Sequence, residues 1–306
     1  MGGERPVLWG NLAGVAGNLV WATTIPVTEI LLATWPPLAL AAARLLVAAL
    51  GVLLLFPLLR RPLLLGGIPW PVVLRLSCFY MVPSVALMIW GQDLSDPMAA
   101  AIVFTTMPLV SAVIGAVQGT ERVRGSLLLA VGLAIAGGIL ASGSFEQGAP
   151  GFRGGEVVLL VSITLWALFS RGIVRDLRGH DSLTQSLVTL AAGGAALTLL
   201  SAGLTGAGWL PPVAPDGQEI LLLLWMGCIG IGLSMPLWFL SVRLLGVTIA
   251  SMHQNLLPFY VVVLAVLLGQ GEIGGRTLAG AALVSLGALV AQLPWARMWR
   301  GRATPV

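Results

Sequence analysis

Apolar positions in this chain come in long blocks separated by short polar or proline-rich joints. Ten blocks stand at roughly 8–33, 36–58, 70–91, 98–118, 124–142, 155–174, 183–204, 219–241, 247–269 and 275–294. A block of about 20 apolar residues crosses a ~30 Å hydrocarbon core as a helix. Lipid offers the backbone no hydrogen-bond partners, so helices must carry such spans. The joints are brief: Thr34 and Trp35 separate the first two blocks, and residues 92–97 the third and fourth. The longest, Thr205 to Gln218, holds Pro211, Pro212 and Pro215. No joint could form a soluble domain. The pattern predicts an all-α integral membrane protein with ten transmembrane helices.

The blocks repeat. Ala100, Pro108 and Gly119 meet Ala250, Pro258 and Gly269 at an offset of 150, and Glu121 meets Glu272 with one residue more. Cys78, Ser84 and Leu87 match Cys228, Ser234 and Leu237, and Gly137 and Ala141 match Gly287 and Ala291, at the same offset. Trp21-Ala22 matches Trp166-Ala167 at 145. A fixed internal period marks a repeat architecture, here of two halves, 1–145 and 146–306. Five spans per half is odd, so the second copy starts on the opposite side of the membrane, which gives a 5+5 inverted repeat.

Composition agrees: 58% of residues are hydrophobic, 9% are charged and the mean hydropathy is +0.97. The net charge of +4 raises the question of nucleic acid. All 16 basic residues are arginines, however, and they cluster between blocks, where they set orientation and bind no nucleic acid. With the N-terminus inside, Arg5; Arg60, Arg61 and Arg75; Arg122 and Arg124; Arg171, Arg175 and Arg178; Arg243; and Arg297, Arg300 and Arg302 fall on the cytoplasmic side. Only Arg153 and Arg276 fall on the other, and Arg44 lies within a block. Both termini are therefore expected in the cytoplasm. The first block is long and lacks a small-x-small exit, so it reads as a span and not as a cleaved leader.

The Trp-Ala pair opening each half, Ala42-Ala43-Arg44-Leu45-Leu46 in the second block, and a mid-helix proline followed by Gly and Glu at the exit resemble the EamA-type drug/metabolite transporters. The likeness runs from about Gly10 to Leu293. Within the family the chain is most similar to ten-helix exporters of amino acids, those for aromatic amino acids in particular. The resemblance implies a secondary active transporter of the cell inner membrane that exports small amphipathic metabolites by alternating access. It also implies that the first four helices of each half wall the cavity. A passive channel or a scramblase-like membrane protein is the alternative. The halves differ: Gln118-Gly119-Thr120-Glu121 stands against Gln270-Gly271-Glu272, and Arg44 has no counterpart.

Other chemistries lack their residues. The chain has no lysine and so no phosphate loop ending in Lys-Ser/Thr, no His-Glu-x-x-His and no Gly-x-Ser-x-Gly. Glu29 alone among carboxylates lies clearly within a block, and one carboxylate makes no acid–base pair. His180 and His253 are too far apart to suggest a metal site. No enzyme activity, cofactor or metal is expected. The partners are the bilayer and a small-molecule substrate; the oligomeric state stays open, and a monomer suffices. Cys78 and Cys228 are expected as separate thiols. The glycines of the fifth and tenth blocks suit close helix contact, within the chain or between chains. Trp9, Trp35, Trp70, Trp90, Trp209, Trp295 and Trp299 stand near block ends, where an aromatic belt accounts for them.

The candidate substrate site is what remains near the midplane. Trp21 and Trp166 are repeat partners. Tyr80 with Ser84, and Ser234 with Trp238, share helix faces at i and i+4. Thr105 precedes Pro108, while His253, Gln254 and Asn255 precede Pro258 and Tyr260. The rings supply area for an apolar or aromatic side chain, and the amides and hydroxyls can bond its polar groups without a buried charge. Pro108 and Pro258 are expected to kink their helices and act as gating points. Glu29 and Arg44, about one turn apart in height across the Thr34–Trp35 joint, are expected to form a structural ion pair.

Overall fold

The computed structural model describes residues 4–95, 103–121, 125–142, 154–257, 259–260, 263–264 and 275–292; Pro258, Trp295 and Trp299 lie outside these. In the first half run α1 (Glu4–Ala22), α2 (Thr24–Leu32), α3 (Pro37–Leu58), α4 (Trp70–Leu76), α5 (Val82–Leu94), α6 (Met107–Val117) and α7 (Gly125–Ser142). The second half holds α8 (Gly155–Asp176), α9 (Ser182–Gly206), α10 (Gly217–Leu224), α11 (Gly232–Leu245), α12 (Val247–Ser251) and α13 (Gly275–Gln292). Among the described residues, 6 helical stretches are long and apolar enough to cross a membrane: Arg5–Leu32, Pro37–Leu58, Trp70–Leu94, Gly155–Asp176, Ser182–Gly206 and Gly217–Leu245. Their outer faces carry large apolar side chains that only hydrocarbon would cover, such as Phe79, 72% exposed, and Leu199, 76% exposed.

Several predicted blocks are not uniform helices. Pro26 has no N–H to give Ala22, and the first block breaks at Thr23, whose N–H and hydroxyl both return to the Val20 carbonyl at 3.2 and 2.7 Å. The fourth block breaks at Thr106. A kink inside a continuous helix was the expectation for Pro108, but it stands in the first turn of α6, where a missing N–H breaks no bond. In the ninth block α12 tightens into a 3₁₀ turn, Met252–Leu256, which ends at the repeat partner of Thr106. The third and eighth blocks each contain a π turn, Ser77–Met81 between α4 and α5 and Trp225–Ile231 between α10 and α11. Cys78 and Cys228 sit in these turns as free thiols.

The helix boundaries follow local chemistry. Two prolines open α3, with Pro37 at its first position. Asp181 caps α9 by accepting from the N–H groups of Leu183 and Thr184 at 3.0 and 3.1 Å. Burial opposes ionisation of Asp181, but the hydrogen bonds from Thr184 and Leu183 outweigh it and hold the carboxyl below its ordinary range. A capping box starts α10: Asp216 accepts from the Glu219 N–H at 2.8 Å, and Glu219 accepts from the Asp216 N–H at 3.1 Å. With α9 running to Gly206, the joint expected over Thr205–Gln218 is correspondingly shorter.

Helix packing pairs the halves. α1 packs along α11, as α5 packs along α8; α3 packs on α9, α6 on α12 and α7 on α13. Exchanging the halves maps this set of contacts onto itself. The contact between α7 and α13, rich in small residues, lies within the chain: a Cβ at Gly287 would stand 2.6 Å from the Ala130 carbonyl. The second π turn presses equally hard on α3, since a Cβ at Gly51 would stand 2.5 Å from the Cys228 Cα. The largest buried cluster joins α3, α5, α8, α9 and α11 through Leu40, Val52, Val85, Phe169, Leu190 and Phe239. Of the tryptophans expected at interfaces, Trp9, Trp70, Trp90 and Trp209 are exposed, whereas Trp35 is buried.

Candidate functional site

A cavity of about 90 Å³ opens where these elements converge, well beyond the ~10–15 Å³ that one water needs. Its rings are Trp21 from α1, Phe104 ahead of the Thr106 break, Trp166 from α8 and Trp238 from α11. Trp21 and Phe104 meet edge to face at 6.1 Å, and Trp166 leans on Phe169 at 5.3 Å. Met81, Met88, Met107 and Met235 fill the spaces between, a soft lining that adapts to varied shapes. The polar groups on the wall are Asn18, Arg44, Ser84, Ser162, Ser234 and Gln254.

Most of these polar groups are already engaged. Ser84 and Ser162 bond each other's carbonyls at 2.9 and 2.8 Å, which stitches α5 to α8. Asn18 Nδ2 donates to Gly14 O at 2.8 Å, and Ser234 Oγ to Ile231 O at 3.2 Å. Trp238 Nε1 donates to Ser170 Oγ at 3.2 Å, which fixes the ring against α8.

The structure thus brings Trp21, Ser84, Trp166, Ser234, Trp238 and Gln254 together and leaves the other predicted residues off the wall. Tyr80 is half-buried in the apolar core instead. Met81 and Met88, three residues before and four after Ser84, share the wall with it and with Val85. Thr105 is buried behind Phe104 and Met107, which face the cavity in its place. Asn255 and Tyr260 are also buried, and the Asn255 amide and the Tyr260 hydroxyl have no hydrogen-bond partner among the described residues. His253 points away from the cavity. Its Nδ1 lies 3.0 Å from Ala250 O and its Nε2 3.1 Å from Asn11 Oδ1, with the ring wedged over Gly14, so it links α1 to the 3₁₀ turn.

The expected ion pair does not form. Glu29 is exposed, whereas Arg44 is 3% exposed and turned to the cavity, and no salt bridge joins them among the described residues. Arg44 Nε is buried without a partner. An unpaired guanidinium at a helix centre costs about 2.5–3.5 kcal/mol on insertion scales, so its placement calls for a function.

A second feature escaped the sequence reading. At the arginine-rich end, Arg171 Nη2 on α8 donates to Glu121 Oε1 at 2.8 Å and to Ser111 O on α6 at 2.7 Å. Thr248 Oγ1 on α12 donates to Glu121 Oε2 at 2.6 Å and lies 3.0 Å from Ser111 Oγ. One half-buried arginine therefore ties both halves together. The recurrence of a glutamate at each helix exit, Glu121 and Glu272, was the available signal. At the opposite end the Thr34 hydroxyl bonds Glu219, again across the halves. Among the described residues no group of histidines, cysteines and carboxylates could hold a metal.

Comparison with known proteins gives one family. The sequence profile of the EamA-like transporter family matches residues 8–143 and again 153–292. A protein of known crystal structure, 20% identical, superposes with a TM-score of 0.75 over 96% of this chain and 99% of its own. At that identity the likeness bears on the fold. No curated protein matches the sequence.

Proposed function

We propose, from the premise that the chain belongs to the EamA-like transporter family, that it is a secondary carrier exporting small amphipathic metabolites, amino acids with apolar or aromatic side chains foremost. The observation that carries this reading is the cavity walled by Trp21, Phe104, Trp166 and Trp238, at the meeting of the two halves. Rings of this kind offer large contact area to an apolar side chain, while few polar groups orient it. The exchange-symmetric packing of α1 with α11 and α5 with α8 supports a 5+5 inverted repeat of ten spans. The distribution of arginines supports cytoplasmic termini in an inner membrane.

Alternating access then has a physical form. The Arg171–Glu121 network closes the cytoplasmic end, and breaking it lets the halves rock apart on that side. The turn at Thr23, the break at Thr106 and the 3₁₀ turn at Met252–Leu256 supply irregular backbone beside the cavity, where such carriers place it. The test is uptake of a labelled amino-acid panel into proteoliposomes, with and without a proton gradient. Saturable, stereoselective counterflow is expected for apolar and aromatic members. Flux that rises linearly with concentration and ignores stereochemistry would indicate a pore.

A further inference from the structure

Arg44 is the one charged residue on the cavity wall among the described residues. It is 3% exposed, its Nε is buried without a partner, and no carboxylate reaches its guanidinium among the described residues. The hydroxyls of Ser84, Ser162 and Ser234 and the Asn18 Nδ2 group already bond backbone carbonyls. The donor on the wall that carries a full positive charge is therefore the Arg44 fork of unspent N–H groups, with the neutral Gln254 amide beside it. A buried cation without a counter-charge is among the costliest arrangements a protein keeps, and a ligand that supplies the counter-charge removes that cost.

The geometry points to Arg44 as the anchor for a single carboxylate on the transported molecule, whose apolar or aromatic body lies against Trp21, Phe104 and Trp166. This inference rests on the transport reading above and adds the charge class of the substrate. A carboxylate matches a guanidinium with two parallel N–H···O bonds and leaves the occupied cavity neutral at that point. A phosphate dianion would leave a negative charge among methionines and rings, with no second basic residue on the wall to meet it. The zwitterion's ammonium, where present, has the Gln254 and Asn18 amide oxygens as acceptors.

The experiment compares matched ligands on the full-length protein in detergent: 3-phenylpropionate, 3-phenylpropanamide, phenyl phosphate and chloride, each titrated against the thermal midpoint. The wild type is expected to bind the carboxylate at least about 10-fold more tightly than the amide, the value of a charged hydrogen-bonded pair. Arg44→Gln reduces that ratio to about one while retaining the amide, and Arg44→Lys, a point charge without the fork, falls between. The same pair is run as competitors of counterflow in proteoliposomes. Equal binding of carboxylate and amide by the wild type overturns the inference without reference to any variant. So does an unchanged ratio in Arg44→Gln, or stabilisation by phenyl phosphate or chloride equal to that by the carboxylate. Selective carboxylate binding without any saturable counterflow would sustain the anchor and defeat the transport reading. Counterflow that ignores the charge would do the reverse.

Discussion

Glu29 and Arg44 are surrounded by different media, and their substitutions separate accordingly. Glu29 is exposed and bonded to nothing among the described residues, so Glu29→Gln is expected to change stability by less than about 0.5 kcal/mol in thermal melts. Exchanging the charges, Glu29→Arg with Arg44→Glu, restores nothing, because it buries a carboxylate where the guanidinium stood. Both residues carry the same weight in the sequence because they flank one short joint; which face of α3 is buried depends on α5, α9 and α11 and is not written locally. Trp21, Trp166, Ser84, Ser234 and Trp238 were legible for a different reason. Large rings and hydroxyls at repeat-equivalent places have few roles in an apolar chain, and helical phase carries them to one wall. Tyr80 departs from that logic because its ring packs on the apolar core of neighbouring helices, a contact set by tertiary structure. His253 and Asn11 give a further prediction: alone and together, His253→Ala and Asn11→Ala are expected to show a coupling of about 0.5–1.5 kcal/mol. Additive losses in a double-mutant cycle would mean that the bond between them contributes nothing.

At the level of elements, run length and the repeat made the helices visible, while their interruptions depended on contacts distant in the chain. Pro108 shows the limit. A proline in an apolar block reads as a kink, yet here it begins a helix, and Pro108→Ala is expected to cost under about 1 kcal/mol with the break at Thr106 retained. The π turn Trp225–Ile231 depends instead on α3: Gly51→Val forces a side chain onto the Cys228 backbone and should destabilise the protein by about 1–3 kcal/mol. Removing the cap of α9 with Asp181→Ala is expected to cost about 1 kcal/mol. Thermal midpoints of the purified variants check all three, with Pro108→Ala the mildest and Gly51→Val the most severe.

For the whole molecule, the two halves meet at three levels: Thr34 with Glu219 at one end, the ring-lined cavity between, and Arg171 with Glu121 and Thr248 at the other. A carrier must be able to break each end in turn, so Glu121→Gln is expected to shift the population toward opening at the arginine-rich end. A cysteine introduced at Ile114, on α6 near that end, should then react faster with a membrane-impermeant thiol reagent from that side. An unchanged rate would remove the network from the gate. The central claim is that the cavity between the halves is where substrate is held, and counterflow tests it most directly. Wild type, Trp166→Ala and Trp209→Ala are reconstituted at equal density, after size-exclusion profiles establish that all three are monodisperse. Saturable counterflow of a labelled aromatic amino acid is expected in the wild type. It should fall about 10-fold or more in Trp166→Ala, which loses a wall ring, a truncation in the range of a binding hot spot. Trp209→Ala, 80% exposed in a joint, should match the wild type. Undiminished counterflow in Trp166→Ala, or equal loss in both variants, would contradict the account.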